Sequence, residues 1–145
     1  MTLTQMARNP KSQTSNSKQV FLSQSPKPYN LEERTLLFAK DIIEFVGKIP
    51  KNLANNEIGK QLVRSAGSAG ANYIEANEAL GKKDFLMRVR ISRKEAKESC
   101  YWIKPLVVPD SLAANQADLL QEGTEVMKIL SSIIEKSAPK SSKAK

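Results

Sequence analysis

Arg64–Leu80 reads RSAGSAGANYIEANEAL. From Ser65 to Ala71, seven small residues follow one another inside what otherwise reads as a long amphipathic helix. A glycine in a helix interior costs roughly 1 kcal/mol relative to alanine. Gly67 and Gly70 therefore need a packing or functional reason. The simplest is close approach of another helix backbone; the other is a polar ligand. A phosphate loop fits poorly, because it needs a strand-to-helix turn and a Lys-Ser/Thr ending. The run passes into a polar cluster, Asn72, Glu75, Asn77 and Glu78.

Working outward, four helical patterns emerge and no period-two run suggests a strand. The first begins at Asn30, with Glu33 three residues on in capping-box spacing. Leu31, Thr35, Phe38, Ile42, Phe45 and Ile49 form one seam. Leu36, Ala39, Ile43 and Val46 form a second beside it. Two seams make the wide apolar face of a bundle helix. The second helix is expected from near Asn56 to Leu80, with Ile58, Leu62, Ala66, Ala69, Tyr73, Ala76 and Leu80 inward and Gly81 as its C-terminal cap. The third starts near Lys83 or Asp84 and carries Phe85, Val89, Ser92, Ala96, Ser99 and Ile103. The fourth starts near Asp110 or Ser111, with Leu112, Leu119, Gly123, Val126, Leu130 and Ile133 inward. The connections are short, which makes sequential neighbours antiparallel and predicts an all-α, up-down-up-down four-helix bundle.

Composition narrows the chemistry. The chain has 145 residues, one cysteine and no histidine. The missing imidazole removes the commonest general base and the commonest transition-metal ligand. Cys100 has no histidine to activate it, and Ser65, Ser68, Ser92 and Ser99 lack a general base in a familiar arrangement. No apolar run reaches the roughly 20 residues of a membrane span, and no signal-peptide core is visible. A cytoplasmic protein without cofactor or metal is the expectation.

The net charge of +8 is unevenly spread. Residues 1–28 carry Arg8, Lys11, Lys18 and Lys27 with no acid, and their only apolar cluster is Val20, Phe21 and Leu22. Residues 138–145 add Lys140, Lys143 and Lys145. Both segments read as disordered basic tails, around a bundle over 29–137 that carries only +1. Within it Lys82–Lys104 is basic by +5, and residues 105–137 are acidic by −3.

Two sets of residues compete for a functional reading. Arg90, Arg93, Lys94 and Lys97 recur at helical spacing, with Lys83 and Lys104 a heptad out on either side. Such a row is a solvated face, a phosphate-binding stripe, or a contact with the acidic fourth helix of a neighbouring copy. Glu75 and Glu78 on the second helix, and Glu95 and Glu98 on the third, form two E-x-x-E pairs. A di-iron bundle wants Glu-x-x-His instead. Structural ion pairing is the plainer reading, with Glu75 and Glu78 near Arg88, and Arg64 near Glu98 and Trp102. Tyr101 and Trp102 read as core or interface anchors. Aromatic content of 6% argues against a single-strand binder built on stacking.

Three stretches, LEERTLLFAKDIIEFV, GKQLVRSAGSAGANYIEANEAL and KKDFLMRVRISRKEAKESCYWI, resemble the four-helix-bundle family encoded within intervening sequences of bacterial large-subunit ribosomal RNA genes. The small-residue run followed by NYIEANEA is the most specific of them. The resemblance covers roughly the central three quarters of the chain and leaves the tails outside. It implies a small helical protein that assembles into a homo-oligomeric ring, commonly a pentamer, with no established enzymatic activity. It further implies similarity in fold to the accessory protein of diversity-generating retroelements, a basic barrel that binds nucleic acid and a reverse transcriptase.

The resulting expectation is a non-catalytic oligomer that binds nucleic acid, RNA foremost, or scaffolds a nucleic-acid enzyme such as a reverse transcriptase. Arg90, Arg93, Lys94 and Lys97 would meet phosphates, and the reading would be of shape rather than bases. The alternative is a protein–protein assembly module with no nucleic-acid role.

Overall fold

The structure, a computed structural model, describes residues 30–138. The expected tails, apart from Ala138, lie outside the described residues. Four helices pack against one another, and among the described residues there is no strand. α1 spans Leu31–Lys48, α2 Leu53–Asn77, α3 Lys82–Ile103 and α4 Ala113–Ser137, the last entered through a 3-10 turn at Asp110–Leu112. No helix among the described residues is long and apolar enough to cross a membrane.

Local chemistry accounts for the helix ends. The side chain of Asn30 accepts from the backbone N–H groups of Glu32 and Glu33, and so caps α1. α2 begins earlier than Asn56, because Asn52 serves as its cap and accepts from Asn55 N at 2.8 Å. It also ends earlier, at Asn77, and Leu80 stands fully in solvent. Gly81 is not the C-cap of α2; its extended backbone leads into α3.

The core is two stacked clusters. The first holds Phe38, Ile42, Phe45, Ile49, Leu62 and Ile103, with Leu106 and Leu119 closing its end. The second holds Ala69, Ala76, Leu86, Val89, Val126, Leu130 and Ile134, with Leu31 packed against it. Full burial of each large side chain contributes about 1.5–3 kcal/mol. Because Leu31, Ala76, Leu86 and Ile134 share the second cluster, the start of α1, the end of α2, the start of α3 and the end of α4 lie at one end of the bundle. The first seam of α1 is the buried one. Of the second, Ala39 and Val46 pack against the core, but Leu36 and Ile43 remain more than half exposed.

The small-residue run does its packing against α3. The hydroxyls of Ser65 and Ser99 lie 2.9 Å apart, and Ser92 donates to the Ala69 carbonyl at 2.6 Å. A serine that reaches the facing backbone requires the two helices to sit close. Together with Arg88 bonding Asn72, these contacts pair rising numbers on α2 with falling numbers on α3.

The two glycines of the run differ. A Cβ at Gly70 would stand 3.0 Å from Thr35 Oγ1, so Gly70 lets α1 approach. A Cβ at Gly67 would meet nothing within 4 Å. The expectation of close packing therefore fails for Gly67, which faces outward. Gly67→Ala should stabilise the protein by about 1 kcal/mol in urea unfolding, whereas Gly70→Ala should give no such gain.

Candidate nucleic-acid interface

α3 turns its core seam inward at Leu86, Val89, Ser92, Ala96 and Ile103, and this rotation fixes where its cations go. Lys83, Arg90, Lys94, Lys97 and Lys104 are all exposed. Arg93 is only half-exposed, because it leans over α4 and donates to Ser131 Oγ at 3.4 Å. Six cations thus share the outer side of one helix. Two exposed apolar side chains are interleaved with them, Met87 and Tyr101. Near the helix start, Met87 and Ile91 line a shallow, open groove together with Lys83, Asp84, Arg90 and Lys94.

Of the two expected ion-pair groups, the one around Arg64 forms. Arg64 binds Glu98 at 2.6 Å and Glu95 at 3.3 Å, joining α2 to α3. Trp102 donates its indole N–H to Glu98 at 2.9 Å. That bond, with Arg64 adding to it, holds the Glu98 carboxyl below its usual range, and the Glu98 hydrogen bond raises Arg64. Glu95 is buried, and its Oε1 makes no hydrogen bond, so the Arg64 charge is its compensation.

Arg88 does not meet Glu75 or Glu78. It donates to Asn72 Oδ1 at 3.1 Å, while Asn72 is held by Ser68. Glu75 and Glu78 are exposed and have no ion-pair partner among the described residues. Trp102 packs half-buried against the first core cluster, as an anchor should. Tyr101 touches it edge-on at 4.9 Å but is 63% exposed, outside the core.

Several residues that organise this frame gave no signal in a single-helix pattern. Arg34 on α1 holds Glu122 through Nε at 2.7 Å and Nη2 at 3.0 Å, and Glu125 at 2.7 Å, tying α1 to α4. Asp41 lies half-buried beside Glu44 and Glu122, and burial with that repulsion pushes its carboxyl up to about 6. Burial also raises the Cys100 thiol, which suits an inert structural cysteine. No group of three or more His, Cys, Asp or Glu side chains among the described residues is arranged to hold a metal ion.

The Asp41 environment has a pH signature. The folded chain keeps a proton that the unfolded chain releases between pH 3.8 and about 6. Stability therefore falls as pH rises through that window and stays lower above it. After solvent screening of a half-buried group, the effect should be about 1 kcal/mol. Asp41→Asn is expected to raise the denaturation midpoint at pH 8 and to flatten its change between pH 4 and 6.

The model of a family described as 23S rRNA-intervening sequence protein matches residues 29–132. A solved structure from Bacteroides thetaiotaomicron, described as a protein of unknown function from the S23 ribosomal protein family, is similar to this chain at 32% identity and a TM-score of 0.62. The match covers 72% of this chain and 98% of that one. No protein with a curated description matches.

Proposed function

This chain belongs to the 23S rRNA-intervening sequence protein family, and from that premise we propose that it is a self-associating, non-catalytic helical bundle that binds RNA through the outer face of α3. The observation that carries the reading is the row of cations from Lys83 to Lys104 on one side of a rigid helix. Phosphate contacts of this kind give affinity without base readout, so shape would decide which RNA is held. The helices run up-down-up-down in this reading, in keeping with the four helix ends gathered around the second core cluster. Copies assemble into a closed ring, a pentamer by family resemblance. A ring would repeat the stripe and focus its field on a polyanion.

The competing reading, an assembly module with no nucleic-acid role, draws on Met87 and Tyr101, which are apolar members of an otherwise cationic face. RNA binding across a salt series separates the two. A chain of residues 29–137 should keep the affinity and most of the salt slope of the full-length protein. Lys97→Glu with Lys104→Glu should lower the slope by about 2 and the affinity at least about tenfold. Binding that vanishes with the tails would sink the RNA reading of the bundle.

A further inference from the structure

We propose that the groove at the start of α3 receives the outer α1–α2 face of a second copy of this chain, in a contact that repeats head to tail. The inference rests on the self-association proposed above and adds the two faces that make it.

The α1–α2 face is defined by the contacts that join these helices. Gly59 meets Val46, Gly70 meets Thr35, and Asn77 donates to Glu32. Val63 and Ile74 each stand four residues, about one turn, beyond a contact glycine and so lie on the same flank of α2. Leu36 and Ile43 each follow a buried residue of α1, Thr35 and Ile42, and turn outward by about 100°. Their exposures are 55% and 56%, with 36% for Val63 and 44% for Ile74. Gly67, which has no packing role within the chain, lies open between Val63 and Ile74. A contiguous apolar face of this kind marks an interaction surface.

Charge identifies the occupant. Where α1 begins and α2 ends, this face is bordered by Glu33, Glu75 and Glu78, all exposed and without an ion pair among the described residues. The basic exceptions, Lys40 and Lys60, lie further along, and Lys60 is engaged with Glu57. The groove on α3 is the complement: Met87 and Ile91 lie among Lys83, Arg90 and Lys94, with Asp84 as the one acid. The groove and the acidic border of the face sit at the same end of the bundle, around the second core cluster, while Ile43 and Val63 carry the face on toward the first. The two surfaces lie on different helices and different sides, so the contact is heterologous. A heterologous contact repeats from copy to copy and makes a ring where its rotation closes. The contact takes up Lys83, Arg90 and Lys94 of the basic row and leaves the exposed Lys97 and Lys104, outside the groove, to meet phosphate.

The test uses full-length protein in sedimentation velocity. One variant carries Met87→Asp and Ile91→Asp, the other Leu36→Asp and Ile74→Asp. Wild type should assemble and each variant alone should be monomeric, with helical content unchanged. Each variant keeps one intact face, so an equimolar mixture should form one-to-one dimers. Charge swaps give a second route. Glu75→Lys with Glu78→Lys, or Lys83→Glu with Arg90→Glu, should each weaken assembly at least tenfold, and both pairs in one chain should restore it.

A variant that keeps the wild-type assembly, or a mixture that stays monomeric, overturns the proposal. A groove variant that keeps the assembly but loses RNA binding overturns it in favour of a polyanion in the groove. Monomeric wild type overturns both this inference and the self-association reading beneath it. The Lys97 and Lys104 variants judge RNA binding separately.

Discussion

Asn55→Ala should cost about 3 kcal/mol in urea unfolding, the sum of three part-buried hydrogen bonds at about 1 kcal/mol each. Asn55 is 1% exposed. Its amide donates to the Pro50 carbonyl at 3.1 Å and the Val107 carbonyl at 2.9 Å, and accepts from Val107 N at 3.2 Å. One side chain thus holds the α1–α2 and α3–α4 connections together and closes the end of the first core cluster. Alanine would take these partners from two carbonyls and one N–H. Asn55→Asp should be nearly as harmful, since a carboxylate cannot donate to the two carbonyls. An unfolding midpoint within experimental error of wild type would refute this account.

Gly123→Val should be at least as damaging, at about 3 kcal/mol, through overpacking rather than lost bonds. A Cβ at Gly123 would sit 2.8 Å from Cys100 Sγ and 3.3 Å from Phe38 Cζ. Phe38 is 1% exposed and Cys100 is 8% exposed, so neither has room to retreat. Cys100→Ala should partly rescue Gly123→Ala by removing the nearer clash. The double mutant cycle reads this as a favourable coupling between the two sites. Additive effects would place the strain elsewhere.

These two residues show where pattern reading along a chain stops. The seam of α1 was legible because hydrophobic period alone fixes which side of a helix is buried. Thr35, Phe38, Ile42 and Phe45 are buried accordingly. Period does not give the distance to the facing helix. Gly67 and Gly70 look alike in sequence, yet only Gly70 faces Thr35. Nor does it give the height of one helix against another, which is why Arg88 finds Asn72 instead of the carboxylates. Hydrophobicity alone points Leu36, Ile43 and Leu80 inward, yet they stand exposed. Asn55 reads as an ordinary polar residue until the loop containing Val107 is folded against it.

The candidate site divides in the same way. The basic row on α3 follows from helical spacing alone, and its cations are exposed as that spacing requires. The apolar pair between Lys83 and Lys94 does not, because Met87 and Ile91 are unremarkable in composition and gain meaning only from their position outside the core. The link from α1 to α4 through Arg34 spans 88 residues of sequence, well beyond any local motif.

Because Leu31 and Ile134 share one core cluster, both chain segments beyond the described residues attach at the same end of the bundle. Those segments carry seven lysines and arginines and no acid, against a net +1 for residues 29–137. Both sets of charge are thus tethered to one end of the bundle. Under the RNA reading, their attraction for a polyanion would act from that one end.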